Sequence, residues 1–386
     1  MKKLAKLTAL SLSSVISFAA FNSAYATSYQ IFADLNFANP ASLNTVKNGE
    51  LIIGNATLFS RTHFSGSALG VNGSTTSYNN DALPYGRIAM RVSPKFVIGF
   101  DITEPYYTNI TYPNNNFANA FATATVLRDV NYSPKISYQA TERLALGAGL
   151  DFNNLYNGQL SFALIPAGHG AAAGVPLINK ADSWATGWDV GLSYVLTPAT
   201  FLNFAYYSLI VQHAKGESDF GAAVNNGFSA DVKLPATWIV NGIQMLSPVW
   251  ALSGTIRYTQ WNTVRFTVLQ NTVVGNVTVP DHFYNNASYE LATHYQINQK
   301  WGALAAIDYE PNVQPTYTRN IGLPTYNRYI PAIGADYELT KGLKAKLIYA
   351  HVFVKAPINL TAAGAHLLGT ERINVDVLDF SLNYDF

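Results

Sequence analysis

The sequence predicts an all-β protein: a 14-stranded antiparallel transmembrane β-barrel with a short N-terminal hatch (plug) segment. Three observations carry this reading. Hydrophobic residues make up 49% of the 386 and aromatics 13%, led by 24 Tyr, while charged residues are only 12%, about half the ~25% of soluble domains. Many stretches alternate apolar and polar residues with period two, and beyond the N-terminus none approaches the ~18 apolar residues of a membrane helix. Finally, the breaks between these stretches alternate strictly between short and long, the layout of outer-membrane barrels.

In chain order, residues 1–26 read as a signal peptide. Lys2, Lys3 and Lys6 are its basic region, Leu7–Ala20 its apolar core, and Ala24-Tyr25-Ala26 its small-x-small cleavage pattern. Removing it leaves 386 − 26 = 360 residues with 24 − 3 = 21 basic against 23 acidic side chains. Such a near-neutral chain has no basic field for nucleic acid. With no cysteine it has neither a disulfide framework nor thiolate chemistry. Residues 27–48 lack a long alternating run and read as an N-terminal segment lying before the barrel. The barrel is expected over 49–386.

Short breaks fall at Ser93-Pro94-Lys95, Gln139–Glu142, Thr197-Pro198-Ala199, Ser247-Pro248, Asn298-Gln299-Lys300 and Thr340-Lys341-Gly342. They are rich in turn residues. Long breaks rich in Asn, Gly, Ser, Thr and Pro are expected near 65–82, 108–122, 163–181, 216–230, 270–281, 311–325 and 357–370. Six turns and seven loops make thirteen connections, hence fourteen strands. Their order puts short turns and both chain ends on the periplasmic side.

The facing of several strands is explicit. Trp188, Val190, Leu192, Tyr194 and Leu196 alternate with Asp189, Gly191 and Ser193; Trp301, Ala303, Ala305, Ile307 and Tyr309 oppose Asp308 and Glu310; Leu343, Ala345, Leu347, Tyr349 and Phe353 oppose Lys344 and Lys346. Trp184, Trp188, Trp250, Trp301 and Tyr384 suit interfacial girdles. Strand 199–213 is apolar on both faces and is expected to meet something apolar inside. In the last strand Leu378, Phe380, Leu382, Tyr384 and Phe386 share one face and Asp379, Ser381, Asn383 and Asp385 the other. This strand is expected to pair with the first and abolish the sheet edge. Phe380, Tyr384 and Phe386 resemble the C-terminal assembly signal read by the barrel-assembly machinery.

Asn39-Pro40-Ala41-Ser42-Leu43 resembles the Asn-Pro-Ala hatch motif of the FadL-type long-chain fatty-acid transporters and their aromatic-hydrocarbon relatives. Gly187-Trp188-Asp189-Val190-Gly191 with Phe204–Ser208 is similar to that family's middle strands. Leu234-Pro235-Ala236-Thr237-Trp238, Trp250-Ala251-Leu252 and Tyr258-Thr259-Gln260-Trp261 form the most specific stretch, and the likeness runs on through Arg319–Arg328 to the C-terminus. The resemblance implies a monomeric barrel plugged by its hatch. It implies capture of a hydrophobic small molecule at outer loops, a lumenal pocket, and a lateral exit into the outer-membrane lipid. One departure stands out: only residues 27–38 precede Asn39 in the mature chain, against a longer Gly- and Ala-rich segment in the family.

The expected function is passive transport of hydrophobic compounds, long-chain fatty acids by default. The alternatives are an aromatic or alkane hydrocarbon cargo and a diffusion porin. Phe162, Leu164, Ile165, Leu177, Ile178, Phe220 and Phe228, on loops 163–181 and 216–230, are expected to form the outer capture groove, because exposed apolar loop patches mark interaction. Arg257, Arg328, Lys344 and Lys346 point inward by parity and could meet a carboxylate. Ion pairing with Asp308, Glu310, Asp336 and Glu338 competes for them. No metal or cofactor pattern is found. An enzyme reading would need Ser288, Glu290 and His294, which share one strand face but stand about 7 Å apart per two residues, too far for a nucleophile–base hydrogen bond.

Overall fold

In the computed structural model the described residues are 36–164, 174–361 and 366–386. The signal-peptide assignment and Ile165 lie outside them. The chain is built from β1 (Gly49–Ala68), β2 (Val71–Arg91), β3 (Phe96–Thr103), β4 (Tyr107–Thr111), β5 (Ala124–Gln139), β6 (Leu144–Leu164), β7 (Val175–Thr197), β8 (Thr200–Tyr207), β9 (Ile210–Phe220), β10 (Ala223–Leu234), β11 (Thr237–Ser247), β12 (Trp250–Thr259), β13 (Phe266–Thr272), β14 (Gly275–Pro280), β15 (Asn286–Gln296), β16 (Trp301–Glu310), β17 (Arg328–Thr340), β18 (Leu343–Leu360) and β19 (Leu367–Asp385). Five pairs (β3/β4, β8/β9, β10/β11, β12/β13 and β14/β15) are two halves of one broken strand. Nineteen segments less five breaks give the fourteen strands of a closed antiparallel barrel.

Closure is made by β1 and β19, whose register runs from Glu50↔Asp385 to Ala68↔Leu367. Gly49 N donates to Phe386 O (2.9 Å) and Phe386 N to Gly49 O (3.0 Å). With the ladder continued to the last residue, no edge is left at the seam. Phe380, Tyr384 and Phe386 face outward and are exposed. So are Trp184, Trp188, Trp250 and Trp301, which suits a lipid-facing aromatic girdle.

The short turns fall where composition put them, but four of the seven long loops do not. β1/β2, β9/β10 and β13/β14 are joined by two-residue hairpin turns (69–70, 221–222 and 273–274), and the 357–370 region is mostly strand. Leu69 (φ 50°), Gly70 (φ 83°), Gly221 (φ 62°) and Gly275 (φ 95°) carry the left-handed conformations that tight hairpins need. The polar runs are strand extensions standing above the membrane. In water both faces of a hairpin can be polar while the ladder still satisfies the backbone, so composition reports solvent there and not chain path.

A lumenal cavity beside a gap in the wall

The described part of the hatch segment, residues 36–48, is tightly seated. Pro40–Thr45 forms a 3-10 helix, with Pro40 at its start and Asn39 as cap: Ala41 N donates to Asn39 Oδ1 (2.9 Å). Asn39 Nδ2 donates to Leu192 O on the barrel wall (3.0 Å), and Ser137 Oγ to Ala41 O (3.1 Å). Leu43 is fully buried with Val46, Ala89 and Val97. Two wall glycines permit this approach. A Cβ on Gly147 would stand 2.2 Å from Ala41 N, and one on Gly191 would stand 1.9 Å from Asn39 Oδ1.

Around the hatch lies a buried charged network that the sequence reading missed. Arg87 donates to Asp101 from Nε (2.6 Å) and Nη2 (2.8 Å). Lys135 Nζ stands 3.4 Å from Asp101 and 3.8 Å from Asp189, and donates to Ala38 O (3.2 Å). Tyr207 OH also donates to Ala38 O (2.5 Å). The visible signal was charges on the inward parity of β2, β3, β5 and β7. Phe37 caps this floor, edge-on to Tyr106 (5.5 Å) and Tyr207 (5.1 Å). Tyr207 is thus the inward aromatic of the strand predicted to meet something apolar inside.

Above Phe37 opens a cavity of about 580 Å³, within the usual ~300–1,000 Å³ of small-molecule sites. Much of its wall is apolar: Leu58, Leu83, Leu155, Phe228, Leu269 and Val352 are among the lining residues. The strand breaks also line it, through Pro105, Pro235, Trp261, Val264 and Phe283. Prolines and irregular backbone interrupt ladders there, and the side chains of the breaks turn into the lumen.

One polar side faces this apolar wall. Arg257 Nη2 donates to Glu310 Oε1 (2.6 Å), its Nε donates to Ser288 Oγ (3.2 Å), and Asp308 is 3.7 Å away. Arg328 Nη1 is 3.4 Å from Glu310 Oε2. Both arginines line the cavity, and both are paired with carboxylates. Lys344 and Lys346 do not line it. They stand opposite Glu338 and Asp336 near the turn at 341–342, because their strand enters the barrel there. His294 Nε2 is 2.7 Å from Asp336 Oδ1 while Ser288 bonds Arg257. Ser288 and His294 are therefore engaged apart, as their strand spacing requires.

The expected capture groove is corrected in form. Phe162 and Leu164 lie on β6, Leu177 and Ile178 on β7, Phe220 on β9 and Phe228 on β10. Phe162, Leu177 and Phe220 are cross-strand neighbours. Leu177 is fully buried, and Phe228 packs with Ala230 and Leu269, against Phe162. Strand pairing turns these apolar side chains into a sheet, so they make a packed upper wall and not a loop groove. Phe228 alone of them lines the cavity.

The ladder between β2 and the broken strand β3/β4 is interrupted beside the cavity. β2 pairs with β3 only from Gly86↔Ile102 to Arg91↔Val97. The chain then breaks over Glu104–Tyr106, and β4 pairs with β5. Among the described residues no ladder joins β2 to β4. Side chains bridge instead: Asn79 Nδ2 donates to Asn109 O (2.9 Å) and Thr111 N to Ser77 Oγ (2.9 Å). Leu83 on one rim, and Glu104 to Ile110 on the other, line the cavity. Across the gap reaches Arg128 of β5. It donates to Glu104, to Asp81 Oδ1 (2.9 Å) and to Ala82 O (2.9 Å). Its guanidinium lies 5.3 Å from the Tyr107 ring and 5.8 Å from that of Tyr156. Arg128 is not among the residues that the sequence singled out.

A family model described as outer membrane protein transport protein (OMPP1/FadL/TodX) matches residues 14–386. The chain belongs to this family. It is 24% identical over 360 residues to the long-chain fatty acid transport protein of Escherichia coli K12, covering 77% of this chain and 79% of that one. It is 23% identical over 380 residues to outer membrane protein P1 of Haemophilus influenzae, covering 81% and 79%. Its fold matches the crystal structure of a Pseudomonas aeruginosa FadL homologue (TM-score 0.83, 18% identity, 93% and 95% covered) and that of the Pseudomonas putida toluene transporter TodX (0.71, 16%, 94% and 95%). The chain is an outer-membrane transporter of hydrophobic compounds and not an enzyme.

Proposed function

We propose that the cargo is a long-chain fatty acid, held in the lumenal cavity and released sideways between β2 and β4. The observation that carries this reading is the cavity itself. It reaches from Phe37 on the hatch up to Phe266 and Gln314, and both rims of the wall gap line it. An alkyl chain gains ~0.8 kcal/mol per methylene by leaving water, so an extended apolar wall rewards a long chain. Downward, the seated hatch and its buried ion pairs oppose passage, because opening a buried pair costs several kcal/mol. The gap offers a sideways route to lipid, with Arg128 as its bolt. Arg257 and Arg328 would meet the carboxylate by exchanging Glu310 for it.

A second reading, a neutral hydrocarbon, is favoured by one observation: both cavity arginines already hold carboxylate partners. Uptake separates the two. In cells lacking their own fatty-acid transporter, labelled oleate is compared with a neutral hydrocarbon of similar size. The fatty-acid reading expects oleate uptake that falls about tenfold in R257M/R328M, the loss of one charge-assisted contact of about 1.5 kcal/mol. Hydrocarbon uptake without oleate uptake supports the second reading instead.

A further inference from the structure

The outward face of the barrel carries a row of cations that transport does not use. Lys355 on β18 stands directly opposite Arg372 on β19. Arg372 stands directly opposite His63 on β1. Arg61 lies two residues along β1 on the same face, its guanidinium 5.7 Å from the Tyr78 ring. The alternation fixes the facing. Val352, Val354, Ile373, Val375 and Thr62 line the cavity, so Lys355, Arg372 and Arg61 point away from it, and all three are exposed.

Like charges directly opposite one another in a sheet repel. A carboxylate between them would explain the arrangement, but among the described residues none lies within ion-pair distance of Lys355, Arg372 or Arg61. Glu371, beside Arg372 in sequence, is fully buried on the lumenal side. The outward carboxylate on β19, Asp376, already accepts from Tyr349 OH (2.6 Å) and bonds His351 Nδ1 (2.7 Å). The row therefore lacks an anion.

Its height says which anion. Lys355 is 355 − 343 = 12 residues above the periplasmic end of β18, Arg372 is 385 − 372 = 13 from that of β19, and His63 is 63 − 49 = 14 from that of β1. At ~3.3 Å per residue and a tilt of ~40° each residue climbs roughly 2.5 Å, so the row sits roughly 30–35 Å up, just above an apolar band about 25 Å tall. Below it on the same strands, Phe59, Phe353, Leu378 and Phe380 are exposed and apolar. Charge above and grease beneath match one occupant: a phosphorylated lipid of the outer leaflet.

We infer that Arg61, His63, Lys355 and Arg372 form a binding site for the phosphate groups of the outer-leaflet glycolipid, whose acyl chains lie along the face below. The test uses the full barrel in detergent and native mass spectrometry. The probes are bis-phosphorylated lipid A, its fully dephosphorylated form and inorganic phosphate. The site predicts lipid A binding at least tenfold tighter than the dephosphorylated form. It predicts about a tenfold loss in K355Q/R372Q, a smaller loss in R61Q, and no change in R143Q at the opposite end of the barrel. Each variant's fold is checked by heat-modifiable gel mobility. Equal affinity for phosphorylated and dephosphorylated lipid, or undiminished binding by both K355Q/R372Q and R61Q, overturns the site. Inorganic phosphate binding as tightly as lipid A overturns the lipid as occupant.

Discussion

Gly147 and Gly191 decide how closely the hatch meets the wall. A single methyl at either position would overlap Ala41 N or Asn39 Oδ1, and no flexible side-chain end is there to give way at Ala41. The double variant G147A/G191A should therefore assemble as a barrel yet unseat the hatch. In planar bilayers it should conduct ions well above the parent; equal conductance would deny the hatch a sealing role. Asp101 is the second residue of this kind. It answers both Arg87 and Lys135, and D101A would leave two buried cations short of a partner. Denaturant unfolding in detergent should show a loss of roughly 3–5 kcal/mol. Sequence alone marked Asn39-Pro40-Ala41, yet not this socket. Each of its members reads as an ordinary inward polar residue, and only the closed barrel brings β2, β3, β5 and β7 to one spot.

At the scale of elements, the break between β3 and β4 matters most. It ends the β2–β3 ladder at Gly86↔Ile102 and leaves closure to side chains, chiefly Arg128 with Asp81 and Glu104. Replacing Arg128 with Met removes charge-assisted bonds worth about 1.5 kcal/mol each, which would raise the open population roughly tenfold per bond. Oleate uptake by R128M should rise while barrel content stays constant; a fall would mean that Arg128 serves the cargo and not the closure. Strand facing was legible from alternation, as Trp188/Asp189 and Ile307/Asp308 demonstrate. The break was not, since Glu104-Pro105-Tyr106 falls just ahead of the loop expected near 108–122 and nothing in its composition sets it apart from that loop. The apolar residues of 163–181 and 216–230 misled for a related reason. Leu177 and Phe228 look like loop residues among Gly, Ala and Asn, but strand pairing sets Leu177 beside Phe220 and packs Phe228 with Ala230 and Leu269.

At the scale of the whole molecule, the described residues form a closed barrel with a hatch segment seated in its lumen. The seam between β1 and β19 runs through the last residue, and Phe386 shares its outward face with Tyr384, with which it stacks at 5.8 Å. F386A should lower the amount of heat-modifiable barrel in the membrane, measured against an exposed periplasmic-end control such as R143Q; unchanged assembly would remove Phe386 from the recognition signal. The path of cargo is the central claim, and the absence of native cysteine makes it directly testable. In N79C/N109C, where the native Asn79 side chain already reaches the main-chain oxygen of Asn109 across β2 and β4, oxidation should lock the gap and reduction should free it. The decisive measurement is labelled oleate uptake by cells carrying this variant, oxidised and then reduced. Lateral release predicts that the oxidised form falls to the level of cells without the transporter and that reductant restores uptake. Full uptake with the cross-link verified in place would contradict it and send the cargo through the floor.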